Sequence, residues 1–317
     1  MPRILNCTDE VIKKAAQALK AGNLVAFPTE TVYGIGADAT NERAVGRIYS
    51  VKGRPADHPL IIHVSSTSFL QKWTTTIPDY AIALAERFWP GPMTLILPRS
   101  QLAKNFITGS QDSVGVRIPA QPISLHLLSE FEKLGGQGIA APSANRFGAV
   151  SPTTANDVET ELGNFLSMDD QILDGGPCSI GVESTIIDCT NSTPVILRPG
   201  AITIDMVTNL VGLVSTLNEN KIKTSGLVES HYSPKAKITL GMMANPGEGF
   251  LALRKIPTPP GAHRLAAPAD IEDYARELYN ALRSADDRGI ETIVAFPPEG
   301  SGLAEAIRDR LIKASFR

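Results

Sequence analysis

The sequence predicts an α/β protein: a twisted, mixed sheet with helices packed on it, followed by a second, smaller α/β domain. Three observations lead there. Amphipathic helical patterns alternate with short apolar runs in the first half of the chain. Apolar runs then gather, each ending at a turn or a polar cluster. A polar stretch from residue 213 separates these from a last block with strands and helices of its own.

The first element is a helix. Thr8 can cap it, Asp9 and Glu10 suit its positive end, and Val11, Ile12, Ala15, Ala16 and Leu19 share one face. Gly22 is placed to end it. The run NLVAF (23–27) is a short buried strand that Pro28 stops, and the following Thr29 to Gly34 read as a polar turn with a hairpin glycine. A helix over about 41–51 gathers Ala44, Val45 and Ile48 and runs into Lys52; PLIIHV is the next strand. PDYAIALAERF is helical, MTLILP and VGVRIP are strands, and PISLHLLSEF is a helix opened by Pro122. GIAAPSAN, QILDGG, STIIDC and PVILRPG are short apolar runs that end in polar turns.

Residues 213–236 have a linker's composition, yet His231-Tyr232-Ser233-Pro234 is too specific for a bland spacer. KITLGM, GFLAL, HRLAA, a helix over 268–287, ETIVAF and a last helix from about 301 then make up a small domain. The expected division is therefore 1–212, 213–236 and 237–317. At about 80 residues the last part is near the lower size at which a core is self-sufficient.

With 30 Lys and Arg against 33 Asp and Glu, the 317-residue chain carries a formal charge of -3. A domain that held nucleic acid mainly by its phosphates would be basic overall, so stable nucleic-acid binding is not expected and any basic site is local. Cys7, Cys178 and Cys189 form no CxxC pattern and read as free thiols in a reducing, cytoplasmic compartment. The N-terminus lacks a signal-peptide core, and no run approaches the ~18 apolar residues of a membrane helix. There is no GxxxxGK[ST] phosphate loop, no GxSxG elbow and no HExxH or similar metal spacing among His58, His63, His126, His231 and His263.

The informative residues sit where strands end, and ligands of open α/β sheets bind there. Ser143 and Asn145 in APSAN lie on the same side of an extended chain. In GVESTIID a glycine that lets the backbone approach a ligand precedes Glu183, Ser184 and Thr185. Arg117 in VGVRIP and Arg198 in LRPG can each grip a phosphate or carboxylate with two parallel hydrogen bonds. Taken singly, each has an ordinary reading as a turn or a solvated arginine. Together, Lys52, Arg54, Arg117 and Arg198 beside Ser, Thr and Asn donors point to one groove for an anionic ligand.

FPTETVYGIGADA, KGRPADHPLIIHV, WPGPMTLIL, VGVRIP, IAAPSAN, SPT, GVESTIID and LRPG occur in that order, and the chain resembles the YrdC-like threonylcarbamoyl-AMP synthase family over about residues 8–212. The HYSP linker and the last domain resemble that family's longer, two-domain branch, which implies a YrdC-like catalytic domain and a Rossmann-like small one. The resemblance implies conversion of L-threonine, bicarbonate and ATP to threonylcarbamoyl-AMP and pyrophosphate, feeding the machinery that makes threonylcarbamoyladenosine in tRNA. It assigns Lys52 and Arg54 to the triphosphate and to catalysis, with His58 close by. Ser113, Ser143, Asn145, Ser151 and Arg198 complete the nucleotide site, while His231 and Tyr232 fold over it from the linker as a lid. Thr31, His63, Arg117, the backbone of Ala141 and Ser184 hold threonine. Magnesium accompanies ATP without a protein cage of its own, and no tightly bound organic cofactor is expected.

Departures from the family pattern fall at His58, where asparagine is commoner, and in the linker, where Glu229 puts an acid near an anionic site. Two other readings use the same residues. One is an RNA-binding module with a local basic groove; the other is the carbamoyl-transfer role of similar domains inside larger hydrogenase-maturation proteins, whose zinc-finger and acylphosphatase-like segments this chain lacks.

Overall fold

The computed structural model describes residues 4–215, 222–224, 232–241 and 243–316. Among these, one large sheet is built from β1 (Ile4–Asn6), β2 (Val25–Phe27), β3 (Gly34–Asp38), β4 (Ile61–His63), β5 (Met93–Pro98), β6 (Ser113–Arg117), β7 (Ile139–Ala140), β8 (Gln171–Asp174), β9 (Thr185–Asp188) and β10 (Val195–Arg198). Their spatial order is β1-β8-β2-β3-β7-β4-β6-β5-β9-β10. β4 runs parallel to β6, and β9 to β5, while β7 is antiparallel to both of its neighbours, so the sheet is mixed as expected.

Helices cover both faces. On one, α1 (Asp9–Lys20) and α6 (Pro122–Lys133) pack Ile12, Ala15 and Leu19 against Leu127, Leu128 and Phe131. On the other, α2 (Glu42–Lys52), α3 (Leu70–Trp73), α4 (Asp79–Phe88) and α5 (Asn105–Thr108) bury a larger core that includes Tyr49, Trp73 and Leu84. Thr8 does cap α1, accepting from the Val11 amide.

Several elements were not read from the sequence. First, Gly34, expected in the turn, begins strand β3, whose GIGAD the sequence reading left unassigned. Glycine is depleted in strands, but a Cβ on Gly36 would lie 2.6 Å from the Ile139 side chain and 2.8 Å from the Phe27 ring. Here glycine is what lets the strand enter a crowded sheet. Second, α7 (Ala155–Leu162) follows SPT and is opened by a reciprocal capping box between Thr154 and Asp157. A further helix, α8 (Ile204–Val211), follows LRPG.

Beyond residue 236, β11 (Lys237–Leu240), β12 (Gly249–Leu251), β13 (His263–Ala266) and β14 (Thr292–Ala295) form a parallel sheet in the order β11-β14-β12-β13. α9 (Ile271–Asp287) and α10 (Leu303–Ser315) pack on it. The core here is not closed on itself. Tyr274, Leu278, Leu282 and Leu311 share one cluster with Val32, Val150 and Val182 of the larger part. A domain this small gains burial by borrowing a neighbour's apolar surface. No helix among the described residues is long and apolar enough to cross a membrane.

Candidate active site

Strand ends from distant stretches open onto one cavity of roughly 550 Å³, part of it open to solvent. Parallel pairing of β4 with β6 sets His63 directly opposite Arg117, and both line the cavity. Thr31, Ala141 and Ser184 line it too, so the expected threonine residues all meet there. Of the expected nucleotide residues, Arg54, Ser143, Arg198 and Tyr232 also line it.

Arg117 is buried and donates from Nη2 to Glu30 Oε1 at 2.7 Å, while Glu30 Oε2 accepts from the Ala120 amide at 3.1 Å. Its Nε is buried with no hydrogen-bond partner. Beside it, burial and then the Arg117 charge push the His63 pKa down to about 3. The imidazole is thus neutral, and its Nδ1 is likewise buried without a partner. Unpaired buried donors and acceptors are costly, which marks them as groups a ligand would satisfy. Thr31 shares a 2.8 Å hydrogen bond with Thr29, whose hydroxyl also holds the Val32 carbonyl at 2.6 Å. The Ala141 amide is bonded to the Ile61 carbonyl at 3.0 Å.

Lys52, His58, Asn145, Ser151 and Ser113 do not line the cavity. Lys52 ends α2, is buried, and donates from Nζ to the carbonyls of Ser143 at 2.6 Å and Asn145 at 2.5 Å. It does not line the cavity; it ties APSAN to α2. Burial above all, with the Arg54 charge, lowers its pKa well below that of a free lysine. Gly53 adopts the left-handed conformation that ends α2 and separates Lys52 from Arg54. Arg54 donates to the Pro59 carbonyl at 3.0 Å, with its guanidinium 5.8 Å from the centre of the Phe147 ring; burial lowers its pKa to about 10. His58 sits edge-on against the same Phe147 ring at 5.2 Å. Asn145 gives its amide to the Arg146 and Ala149 carbonyls and keeps Oδ1 buried without a partner. Ser113, at the start of β6, pairs with Pro98 and stays off the cavity.

Arg198 donates from Nε and Nη2 to the Ser184 carbonyl at 3.0 and 2.9 Å, and from Nη2 to the Ser184 hydroxyl at 3.1 Å. Ser184 also shares a hydrogen bond with Thr94 at 2.8 Å. Ser151 is buried and donates to Glu183 Oε1 at 2.6 Å. Tyr232 is buried at the cavity wall, with its ring stacked on Tyr279 at 5.9 Å. His231 and Glu229 lie outside the described residues.

Sequence reasoning expected Gly181 to make room for a ligand. In the structure the room is taken by α9: a Cβ there would come 2.4 Å from the Ala275 carbonyl oxygen. The reading named Glu30 and Glu183 only as parts of motifs, without a role for either. Glu183 lines the cavity and is the meeting point of Ser151, Tyr279 and Arg310. Burial works to raise its pKa, but the charges of Arg310 and Arg198, with hydrogen bonds from Ser151 and Arg310, hold it at about 2. Among the described residues, no three His, Cys, Asp or Glu side chains gather as a metal site would require.

The chain is 39% identical to a threonylcarbamoyl-AMP synthase of Pyrococcus abyssi, over 99% of this chain and 98% of that protein. The chain belongs to the threonylcarbamoyl-AMP synthase family. A Bacillus subtilis protein of the same name is 38% identical over 98% of this chain and 94% of its own length. The family model for Sua5, YciO and YrdC, described as Telomere recombination, matches residues 17–200. A second, described as Threonylcarbamoyl-AMP synthase, C-terminal domain, matches 202–315. The crystal structure of Pyrococcus abyssi Sua5 complexed with L-threonine superposes with a TM-score of 0.88 at 37% identity, over 99% of this chain and 97% of that one.

Proposed function

We propose that this member of the family joins L-threonine, bicarbonate and ATP into threonylcarbamoyl-AMP, releasing pyrophosphate, for the threonylcarbamoyladenosine modification of tRNA. The amine of threonine forms a carbamate, either with carbon dioxide and loss of a proton or with bicarbonate and loss of water. A carbamate oxygen then forms a bond to the α-phosphorus as the bond to the β-phosphate breaks. The nucleophile belongs to the substrate, so the protein's work is to position two anions and spread the developing charge.

One observation carries this reading: Arg54, Arg117 and Arg198 converge on a single cavity beside Thr31, His63 and Ser184. Arg117, held by Glu30, takes the threonine carboxylate; Thr31, His63, Ser184 and the Ala141 backbone surround the rest of the amino acid. Arg54 and Arg198 take the triphosphate and its α-phosphate end, with Ser143, Asn145 and Ser151 toward the nucleoside and Ser113 and His58 at the margin. Lys52 adds its charge from behind while fixing the loop that carries Ser143 and Asn145. His231 and Tyr232 cover the nucleotide. Magnesium arrives on ATP as part of the substrate. In this scheme residues 1–212 are the catalytic domain, 213–236 the covering linker and 237–317 the small domain. The product passes to the tRNA-modifying machinery of the cytoplasm.

Mass spectrometry with labelled bicarbonate tests the reaction. The expected product is a threonine–AMP conjugate carrying the label, with pyrophosphate release that requires both threonine and bicarbonate. Equal pyrophosphate release without threonine would refute it.

A further inference from the structure

The small domain reaches carboxylates of the large one at Glu183 and Glu161, and of these Glu183 lines the cavity. Arg310, on the last helix, is 1% exposed and donates from Nε to Glu183 Oε2 at 2.9 Å and from Nη1 to the Pro199 carbonyl at 2.9 Å. Its Nη2 reaches the Glu183 carbonyl at 3.4 Å. Tyr279, on α9, donates to the same carboxylate at 2.9 Å. One turn later on α9, Arg283 bonds Glu161 at 2.7 Å and also the Val150 carbonyl, next to Ser151. The seam is tight, as Gly181 lies against the α9 backbone with no space for a side chain.

These contacts converge on two segments of the cavity wall. Glu183 orients Ser151, and the adjacent Ser184 carbonyl orients Arg198. Pro199, gripped by Arg310, follows Arg198 directly. A buried charged pair is weak evidence for stability, because desolvation offsets its attraction. Bonds from one guanidinium to both Glu183 and Pro199 do something packing alone would not: they fix the spacing between the GVES and LRPG turns.

We propose that Arg310 of the small domain is a positioning residue for the nucleotide side of the active site, acting through Glu183 on Ser151 and on the Ser184–Arg198 contact. This rests on the assignment of Ser151 and Arg198 to ATP. It makes the small domain an obligatory part of the site, independently of how the linker covers it. Arg117, held by Glu30 from within the large domain, lies outside this support.

Full-length variants test it by calorimetric binding of a non-hydrolysable ATP analogue and by separate KM values for ATP and threonine. Arg310→Lys keeps the charge but loses the fork that spans Glu183 and Pro199. It is expected to weaken analogue binding and raise the ATP KM by about tenfold, with a clearly smaller rise in the threonine KM, since of the threonine residues only Ser184 adjoins this support. The double variant Glu183→Gln with Arg310→Met removes both charges of the pair, leaves Asp309 to Lys313, and is expected to show the same split. Tyr279→Phe removes one hydrogen bond from the same carboxylate and carries the test should the others fail to fold; its expected loss is about two- to fivefold. Unchanged analogue binding in the variants that fold overturns the proposal. So do equal losses for ATP and threonine that track the melting temperature, which a purely structural role would give. Should the wild type bind the analogue yet make no threonylcarbamoyl-AMP, the proposed reaction fails while the binding comparison still judges Arg310.

Discussion

The two walls of the cavity are built on different plans. The Arg117 wall is assembled within the large sheet: Glu30 follows β2, His63 ends β4, Arg117 ends β6, and strand register alone brings the last two together. The Glu183 wall is made of two turns, around β9 and β10, whose spacing is held by side chains from α9 and α10. In both, a buried arginine meets a buried carboxylate. On the first wall the arginine lines the cavity and the carboxylate holds it from behind. On the second the carboxylate lines the cavity and the arginine stands behind. The same pair therefore serves opposite ends: on one wall the arginine lines the cavity, on the other the carboxylate does, as a fixed acceptor for Ser151 and Tyr279 beside Arg198.

The contrast is broken most forcefully at Glu30. Glu30→Gln leaves Arg117 buried without its counter-charge, and the expected loss is on the order of 3–5 kcal/mol of unfolding free energy in urea titration. Arg117→Met added to it should recover much of that stability, since an apolar replacement of a buried pair is often neutral. It should not recover activity with threonine. Recovery of both would mean that Arg117 is structural and that this wall holds no carboxylate.

The Glu183 wall is sharpened by acid. The Glu183 pKa, at about 2, lies below the ordinary 4.5, so its contribution is fully present above about pH 4.5 and is lost as pH falls through 2. The stability difference between wild type and Glu183→Gln should thus shrink across that window, by up to roughly 3 kcal/mol. A difference independent of pH from 5 to 2.5 would show that the Arg310 and Arg198 charges do not hold this carboxylate.

Much of the first wall was legible in the sequence and much of the second was not. The family resemblance assigned Thr31, His63 and Arg117, and Arg117 also stood out as a cation at a strand end; on the second wall it assigned Ser151, Ser184 and Arg198, but nothing pointed to what holds them. Arg310 lies in none of those motifs. It sits 127 residues from Glu183, and an arginine on a terminal helix usually reads as solvated. A signal existed: on α10 it shares the buried stripe of Ile307, Leu311 and Ala314, at helical spacing. A cation inside an apolar stripe has to find a partner. The role of Glu30 and the need for Gly36 escaped for a related reason, since each is explained only by what another strand brings against it.

Lys52 tests how far a cation at the edge of the site acts through the loop it holds. Lys52→Met leaves the carbonyls of Ser143 and Asn145 without their donor, and the expected cost is about 1–3 kcal/mol of stability. Lys52→Arg, too bulky for the same fully buried slot, should not restore the wild-type ATP KM. Wild-type stability in Lys52→Met would show that the clamp on APSAN contributes nothing.

The smallest expected effect is the absence of one. His63 pairs across the strands with Arg117, and burial together with that charge keeps its imidazole neutral down to about pH 3. An exposed histidine would gain its proton near pH 6.5. Nuclear magnetic resonance of the five ring signals should therefore show His63 unmoved between pH 8 and 5. Replacement of Arg117 by methionine removes the second of the two causes and leaves the first, so the His63 midpoint should rise but stay below 6.5. A midpoint near 6.5 in the wild type would mean that water reaches this wall freely. The distinction between a wall closed by its own sheet and one closed by a second domain would then be lost.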